Sequence, residues 1–149
     1  MKRIILTALL AIPALMAFNA KADDKPIPAT ELPAAATAFI KNFAPATVTA
    51  AAVDDDFFRP DYKVYLSDGT AIEFRHNGQW EEVQNYKGIA TKVIPAAIAK
   101  YLEANYKGTA VTNISYDADD LDSYEVKLAS RIELKFDRNG NFLTMEYDD

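Results

Sequence analysis

Two stretches of the chain alternate apolar and polar residues in the manner of strands that bury one face. The apolar positions of the first stretch are Tyr62, Val64, Leu66, Ile72 and Phe74. Those of the second stretch are Tyr124, Val126, Leu128, Ile132, Leu134 and Phe136. Because the side chains of a strand point alternately to opposite faces, the pattern predicts antiparallel strands with one face under helices and the other open to water.

Two alanine-rich stretches, residues 33–43 and 95–106, carry apolar residues at intervals of three and four, which is typical of amphipathic helices. Pro33 and Pro95 fit the first helical turn, where a missing N–H costs no hydrogen bond. The sequence therefore predicts one helix ahead of each set of strands.

Tight turns are predicted at three dipeptides that accept the positive φ angles of hairpins: Asp68-Gly69, Asn77-Gly78 and Asn139-Gly140. Two further extended stretches lie near residues 47–53 and 110–116. Each half of the chain is thus predicted to be a helix followed by about four strands.

The two halves align with each other when the chain is shifted by 62 residues. Pro33 then falls on Pro95, and Gly78 falls on Gly140. Because proline, glycine and aromatic positions coincide together, the pattern indicates duplication. The predicted fold class is α+β, with two tandem repeats of a helix plus about four antiparallel strands and the helices on one face of the sheet.

The first residues have the layout of a secretory signal peptide: basic Lys2 and Arg3, an apolar run over 4–18, and small residues at Ala20 and Ala22. The apolar run is short for a bilayer span, so no membrane insertion is predicted after signal removal, and a periplasmic or secreted location is expected. The predicted segments are a signal peptide at 1–22, an N-terminal linker at 23–31, and repeats at 32–87 and 88–149 that pack as one domain.

Composition narrows the classes of partner. Removing Lys2, Arg3 and Lys21 with the predicted signal lowers the basic count from 16 to 13 against 22 acidic residues, a net charge of about −9. A nucleic-acid partner is not expected, because phosphate backbones require a concentrated basic face. The chain has no cysteine, which excludes disulfides, thiolate chemistry and a lipidated cysteine.

The chain resembles the PepSY-like, β-lactamase-inhibitor-like (BLIP-like) family of exported bacterial proteins, common in Bacteroidetes. The resemblance lies in the Leu/Ile-Pro-x-x helix starts, the Tyr-x-Val-x-Leu strands and the Asn-Gly-x-Trp/Phe hairpins of both halves. It implies two α+β repeats that form a curved antiparallel sheet, and inhibition of a peptidase or another hydrolase. The sequence departs from the pattern at Ala129-Ser130, which stands where the first half has Asp68-Gly69.

Catalytic chemistry finds little support in the residues. His76 is the single histidine and lies in a predicted turn, without a partner that would position it as a base. No nucleophile elbow, zinc spacing, phosphate loop or dinucleotide fingerprint is present, so an enzyme is not predicted and no cofactor is expected.

The acidic segment at 117–122 is a weak calcium candidate through Asp117, Asp119, Asp120 and Asp122. Oxygen ligands at alternate positions suit calcium, but the sixth and twelfth positions of an EF-hand loop hold Asp122 and Leu128 instead of Gly and Glu. A solvated loop between strands is the favoured interpretation.

Binding is the favoured class of function. The residues expected to line the open sheet face are Lys63, Tyr65, Glu73, Arg75, Glu125, Lys127, Glu133 and Lys135. Tyr65 is the most binding-like of them, because exposed aromatics are favoured interface anchors, whereas Trp80 and Phe142 are expected to complete the core. The predicted function is an exported, non-enzymatic module that binds a protein or peptide; the alternative is a periplasmic sensor or carrier for a small ligand or calcium.

Overall fold

The structure is a computed structural model that describes residues 24–54, 58–119 and 122–148. The predicted signal peptide, residues 1–22, lies outside the described residues. Within the described ranges, no helix is both long enough and apolar enough to cross a membrane.

The described chain contains nine strands, two α-helices and three short 3-10 turns. The strands are β1 (Lys25–Ile27), β2 (Val48–Val53), β3 (Tyr62–Leu66), β4 (Ala71–Phe74), β5 (Trp80–Gln84), β6 (Val111–Asp117), β7 (Ser123–Leu128), β8 (Ile132–Asp137) and β9 (Phe142–Tyr147). The helices are α1 (Ala34–Ile40) and α2 (Ala96–Asn105), and the 3-10 turns are Ala29–Glu31, Lys41–Phe43 and Thr91–Val93.

All nine strands belong to one antiparallel sheet in which they follow each other in chain order, from β1 to β9. The helices are short, with seven residues in α1 and ten in α2. The predicted α+β class with two helix-plus-strand repeats is therefore wrong, because the fold is dominated by a single sheet.

The error has a physical cause in strand pairing. β5 and β6 are separated by α2 in sequence, yet they pair directly, with Val83 opposite Ile114. Hydrophobic alternation shows which face of a strand is buried, but not which other strand takes up its edge hydrogen bonds. The strands assigned to separate repeats consequently share one ladder.

The chain divides into two compact units between Trp80 and Glu81. The predicted segment boundaries at 32–87 and 88–149 stay predictions. In the first unit, the ring of Phe39 in α1 packs edge-on against the buried ring of Phe74, with the ring centroids 6.0 Å apart. The same ring stacks on Trp80 at 5.9 Å, so Trp80 completes this core as predicted.

In the second unit, α2 buries Ile98 and Leu102 against the sheet. Tyr101 of the same helix stacks on Phe142 with 4.9 Å between ring centroids and meets Phe136 edge-on at 5.3 Å. Phe142 therefore contacts the helix, although its side chain stays partly exposed.

Part of the segment predicted as an N-terminal linker forms a strand. β1 pairs antiparallel with β2, with Pro26 opposite Ala52. Proline cannot donate a ladder hydrogen bond and is tolerated at a sheet edge, which is where β1 lies.

Candidate binding face

Strands β5 to β9 place two rows of polar side chains on one face of the sheet, which we call the polar face. The first row in strand register is Glu82, Ser115, Glu125, Lys135 and Thr144. The second row is Gln84, Asn113, Lys127, Glu133 and Glu146.

Alternation along each strand explains the position of these rows. The residues between them are Val83, Ile114, Val126 and Leu134, and all four are fully buried. Because successive side chains of a strand point to opposite faces, burial of this apolar row turns its neighbours toward the other side.

Glu133 lies between two lysines on the polar face. Its Oε2 is 3.6 Å from Lys127 Nζ, and its Oε1 is 4.0 Å from Lys135 Nζ. Both lysine side chains are 38 % exposed, against 16 % for Glu133. Ion pairs with this exposure contribute little to stability, so the lysines can be redirected to a partner at small cost.

Acidic groups on the face interact with one another as well. Burial, followed by the charge of Glu133, raises the pKa of Glu125 above its ordinary value, and Lys127 and Lys135 oppose the effect. A hydrogen bond between Glu125 and Glu133 adds to the rise. At the β5–β6 pair, Asn113 Nδ2 donates to Glu82 Oε1 at 2.6 Å.

A cavity of about 430 Å³ opens at the end of the polar face beside the β7–β8 turn. Polar and aromatic residues in its lining include Gln84, Tyr86, Asn113, Lys127 and Arg131. Tyr86 is largely exposed, and Lys87 Nζ lies 5.9 Å from the centroid of its ring. Cations, amides and an exposed aromatic ring together suit the backbone and acidic side chains of a peptide.

Four of the predicted face residues lie in the first unit, and two of them are buried. Lys63 is 8 % exposed and Tyr65 is 3 % exposed, so their expected place on an open face is wrong. Glu73 and Arg75 are half-buried. The other four, Glu125, Lys127, Glu133 and Lys135, come together on the polar face as described.

Contacts from other segments explain the burial of Lys63 and Tyr65. Lys63 Nζ bonds to Asp24 Oδ2 at 2.8 Å, just ahead of β1. Tyr65 packs with Ala71 and Ala50. The small alanines of β2 were a signal for close packing on this side, which strand alternation alone does not reveal.

The acidic segment is engaged in contacts within the protein. Asp122 accepts hydrogen bonds from the Tyr116 hydroxyl and from Arg138 Nη1, the latter at 3.2 Å, and these partners lower its pKa, the Tyr116 bond most. The Asp119 backbone N–H donates to Asp117 Oδ1 at 3.1 Å.

Asp120 lies outside the described residues, so the predicted calcium ligands are only partly observed. Among the residues that the structure does describe, no three acidic, histidine or cysteine side chains form a group that could hold a metal ion. His76 lies exposed in the β4–β5 turn.

The polar face and the cavity at its end were not predicted as a unit. The sequence singled out Glu125, Lys127, Glu133 and Lys135 but missed Glu82, Asn113 and the cavity-lining Arg131. These three residues join the polar face and its cavity through the pairing of β5 with β6 and through the β7–β8 turn. No sequence pattern specifies that strand pairing.

Comparisons with known proteins show which family model and which solved structures the chain is similar to. A family model described as "putative beta-lactamase-inhibitor-like, PepSY-like" matches residues 60–144. No curated protein matches the sequence significantly.

Solved structures from Bacteroides resemble the chain along most of its length. One from Bacteroides thetaiotaomicron, described as a "putative calcium-regulated periplasmic protein", has a TM-score of 0.76 and 40% identity, covering 83% of this chain and 97% of its own. A "putative periplasmic protein" of the DUF2874 family from Bacteroides vulgatus has a TM-score of 0.74 and 35% identity, covering 84% of this chain and 98% of its own.

A further periplasmic structure from Bacteroides vulgatus, described as of unknown function, has a TM-score of 0.72 and 33% identity. It covers 83% of this chain and 98% of its own. From the family match and these three likenesses, we conclude that the chain belongs to the PepSY-like, β-lactamase-inhibitor-like family.

Proposed function

We propose that this chain is a periplasmic, non-enzymatic module that binds a protein or an extended peptide on the polar face. The observation that carries the proposal is the pair of charged and amide rows held in register across β5 to β9. Exported relatives described as periplasmic and the N-terminal signal pattern support the location.

The chemistry of the face fits a partner that carries both charges. Lys127 and Lys135 offer donors to acidic side chains, while Glu82 and Glu125 offer acceptors to basic ones. Charge complementarity of this kind selects partners and orients them more than it adds affinity. The family description makes a hydrolase, held in an inhibited state, the first partner class to examine.

Charge reversal on the face tests this function. We expect the double variant Lys127→Glu/Lys135→Glu to lose its partner, because each new carboxylate repels the acidic groups that the lysines would hold. The matched control is Lys100→Glu/Lys107→Glu, which makes the same charge change at exposed positions in and after α2.

The measurement has two stages. Tagged wild-type chain and both variants are used to capture proteins from periplasmic extract, and the captured partner is then purified and titrated by calorimetry. We expect at least about tenfold weaker binding for the face variant, about 1.4 kcal/mol, and unchanged binding for the control. If the face variant bound the purified partner as tightly as wild type, the polar face would not be the binding site.

Where the purified partner is a hydrolase, its activity supplies a separate readout. Inhibition that rises with the concentration of this chain, and that the face variant loses, supports the inhibitor role. Binding without any change in hydrolysis restricts the proposal to a binding module.

Calcium sensing is a second candidate, which the comparison with Bacteroides thetaiotaomicron favours. That protein is described as "putative calcium-regulated", and this chain carries Asp117, Asp119 and Asp122 in one segment. Asp122 is held by Tyr116 and Arg138, so calcium would have to compete with those bonds or use the other carboxylates.

Thermal unfolding with calcium, and with magnesium as the ion control, tests this candidate. Calcium at about a hundred times its dissociation constant stabilises a native site by about 2.7 kcal/mol. Asp117→Asn/Asp119→Asn is expected to abolish the shift, and Glu31→Gln/Glu103→Gln, at exposed positions elsewhere, to keep it. If calcium left the unfolding temperature of the wild-type chain unchanged, calcium sensing would be ruled out.

A further inference from the structure

The last strand of the sheet presents an apolar edge. All six residues of β9 are exposed, and four of them are large and apolar: Phe142, Leu143, Met145 and Tyr147. β9 pairs with β8 on one side only, and in the described part of the chain no strand follows it in the sheet.

The two edges of the sheet differ in their protection. β1 has three residues, among them Lys25 and Pro26, and short strands, lysine and proline are the usual means of preventing edge pairing. β9 is twice as long, contains no proline or lysine, and has one charged residue, Glu146. A long apolar edge of this kind is a template for another strand.

The hydrogen-bond pattern shows which backbone groups that edge offers. The Asp148 N–H donates to the Arg131 carbonyl at 2.8 Å, so Asp148 faces β8. In an antiparallel ladder, hydrogen-bonded and non-hydrogen-bonded pairs alternate along the strand, so every second residue directs its backbone groups to the same neighbour. Counting back from Asp148, the N–H and C=O groups of Glu146 and Thr144 therefore face β8. Met145 and Tyr147 therefore direct their N–H and C=O groups outward.

We propose that β9 pairs with β9 of a second copy of this chain, antiparallel, about a two-fold axis at Met145. In this register Tyr147 lies opposite Leu143 of the other copy, and Glu146 lies opposite Thr144. The outward N–H and C=O groups of Met145 then meet those of Met145 in the other copy, and no two carboxylates are opposed. The β8–β9 register shifts at Leu143, so the pairing rests on the central Met145 pair. Like charges placed directly opposite would destabilise a strand pair.

Neighbouring registers are worse. Centring the pair on Glu146 places two carboxylates face to face, and centring it on Thr144 places Tyr147 against Asn141, which lies before the strand begins. A shift by one residue reverses the faces of all the side chains. The register centred on Met145 is self-complementary, as a two-fold interface requires, whereas centring on Tyr147 would place Glu146 against Asp148.

The interface is small and the two copies carry the same charge. One strand pair buries less than the roughly 1,000 Å² of a stable interface, so the association is weak. The fraction of dimer therefore rises with protein concentration and falls on dilution. The chain has a net charge of −6, and added salt screens the repulsion between copies. Association is therefore expected to tighten as salt is raised.

Sedimentation equilibrium of the purified chain tests the proposal. The mass is expected to rise toward twice the monomer value with concentration, and Met145→Lys, which opposes two lysines on the axis, to weaken association at least about tenfold. Phe58→Lys is the control, because it makes the same kind of exchange at an exposed apolar residue of the first unit. Circular dichroism checks that both variants are folded.

Amide hydrogen exchange gives a readout that does not depend on a variant. Exchange at Met145 and Tyr147 is expected to slow as the chain is concentrated, whereas amides of β1 stay unchanged. A monomer at all concentrations, equal association of Met145→Lys and wild type, or protection of β9 only when a different protein is added would each overturn the self-pairing.

Discussion

At the scale of single residues, Lys63 is held in the first unit by an ion pair that is shielded from water. Its Nζ lies 2.8 Å from Asp24 Oδ2, with side chains that are 10% and 3% exposed. Removing one partner of a buried pair leaves the other charge uncompensated, and this costs more than the pair contributes to stability.

We predict that Lys63→Met lowers the free energy of unfolding by about 3 kcal/mol, measured by urea denaturation. Adding Asp24→Leu is expected to recover part of the loss, since the uncompensated charge is then gone. Lys107→Met is the control: Lys107 pairs with Glu103 at 3.7 Å on the surface, and its loss should cost less than about 0.5 kcal/mol. Equal losses in the two lysine variants would contradict the prediction.

Tyr65 makes the free energy of unfolding depend on pH in the alkaline range. Burial, then the charges of Asp24 and Glu73, raise its pKa from 10.0 to about 12. The unfolded chain releases the proton at the lower pKa and the folded chain at the higher one. The folded state therefore holds more protons in this window, and the free energy of unfolding falls as pH rises through it.

We predict that Tyr65→Phe flattens this fall between pH 10.0 and about 12, measured from urea midpoints at a series of pH values. A smaller slope remains, because burial raises the pKa of Tyr124 as well. Tyr86→Phe, at an exposed tyrosine, serves as the control and should keep the full slope. An unchanged slope in Tyr65→Phe would contradict the assigned cause.

At the scale of elements, the docking of α2 depends on the turn between β8 and β9. Gly140 has a φ of 82° in this turn, and a Cβ added there would lie 2.6 Å from Ala97 Cβ in the first turn of the helix. The sequence identified the Asn139-Gly140 turn from the φ requirement alone. The close approach of the helix is a second reason for glycine, and only the packed structure shows it.

Alanine substitutions at Gly69 and Gly140 separate the cost of a positive φ from the cost of a clash with the helix. Gly69 has a φ of 89° with no atom within 4 Å of an added Cβ, so Gly69→Ala costs backbone strain of about 1 kcal/mol. Gly140→Ala adds a clash with the helix, and we predict a loss of at least about 3 kcal/mol in thermal or urea unfolding. Equal losses in both variants would mean that the helix moves away freely.

At the scale of the whole molecule, acidic residues exceed basic ones by 22 to 16. Excess charge of one sign destabilises a compact state through self-repulsion, and salt screens that repulsion. The ion pairs on the polar face have lysines that are 38 % exposed and contribute little to stability, so screening them costs little.

We predict that the melting temperature rises by a few degrees as sodium chloride is raised from low to physiological ionic strength. A variant with fewer surface carboxylates, Asp117→Asn/Asp119→Asn, should show a smaller rise, while Lys100→Gln should show a larger one. A melting temperature that falls with salt would show that attractive ion pairs outweigh the net repulsion.

The sequence by itself determined the local elements: the helices, the alternating strands and the glycine turns. These follow from φ preferences and from the periods of strand and helix, which involve only near neighbours in the chain. The family also followed from short motifs of this local kind. Binding by Glu125, Lys127, Glu133 and Lys135 stays a prediction; the strand register places these four residues in neighbouring positions on one face.

Tertiary structure alone decided the single sheet, the burial of Lys63 and Tyr65, and the composition of the polar face. Each depends on which distant segment fills a vacant edge or covers a face: β6 beside β5, Asp24 over Lys63, and Arg131 beside Lys127. Such choices are made by summed hydrogen bonds and buried area across the whole chain, so no short stretch of sequence carries them.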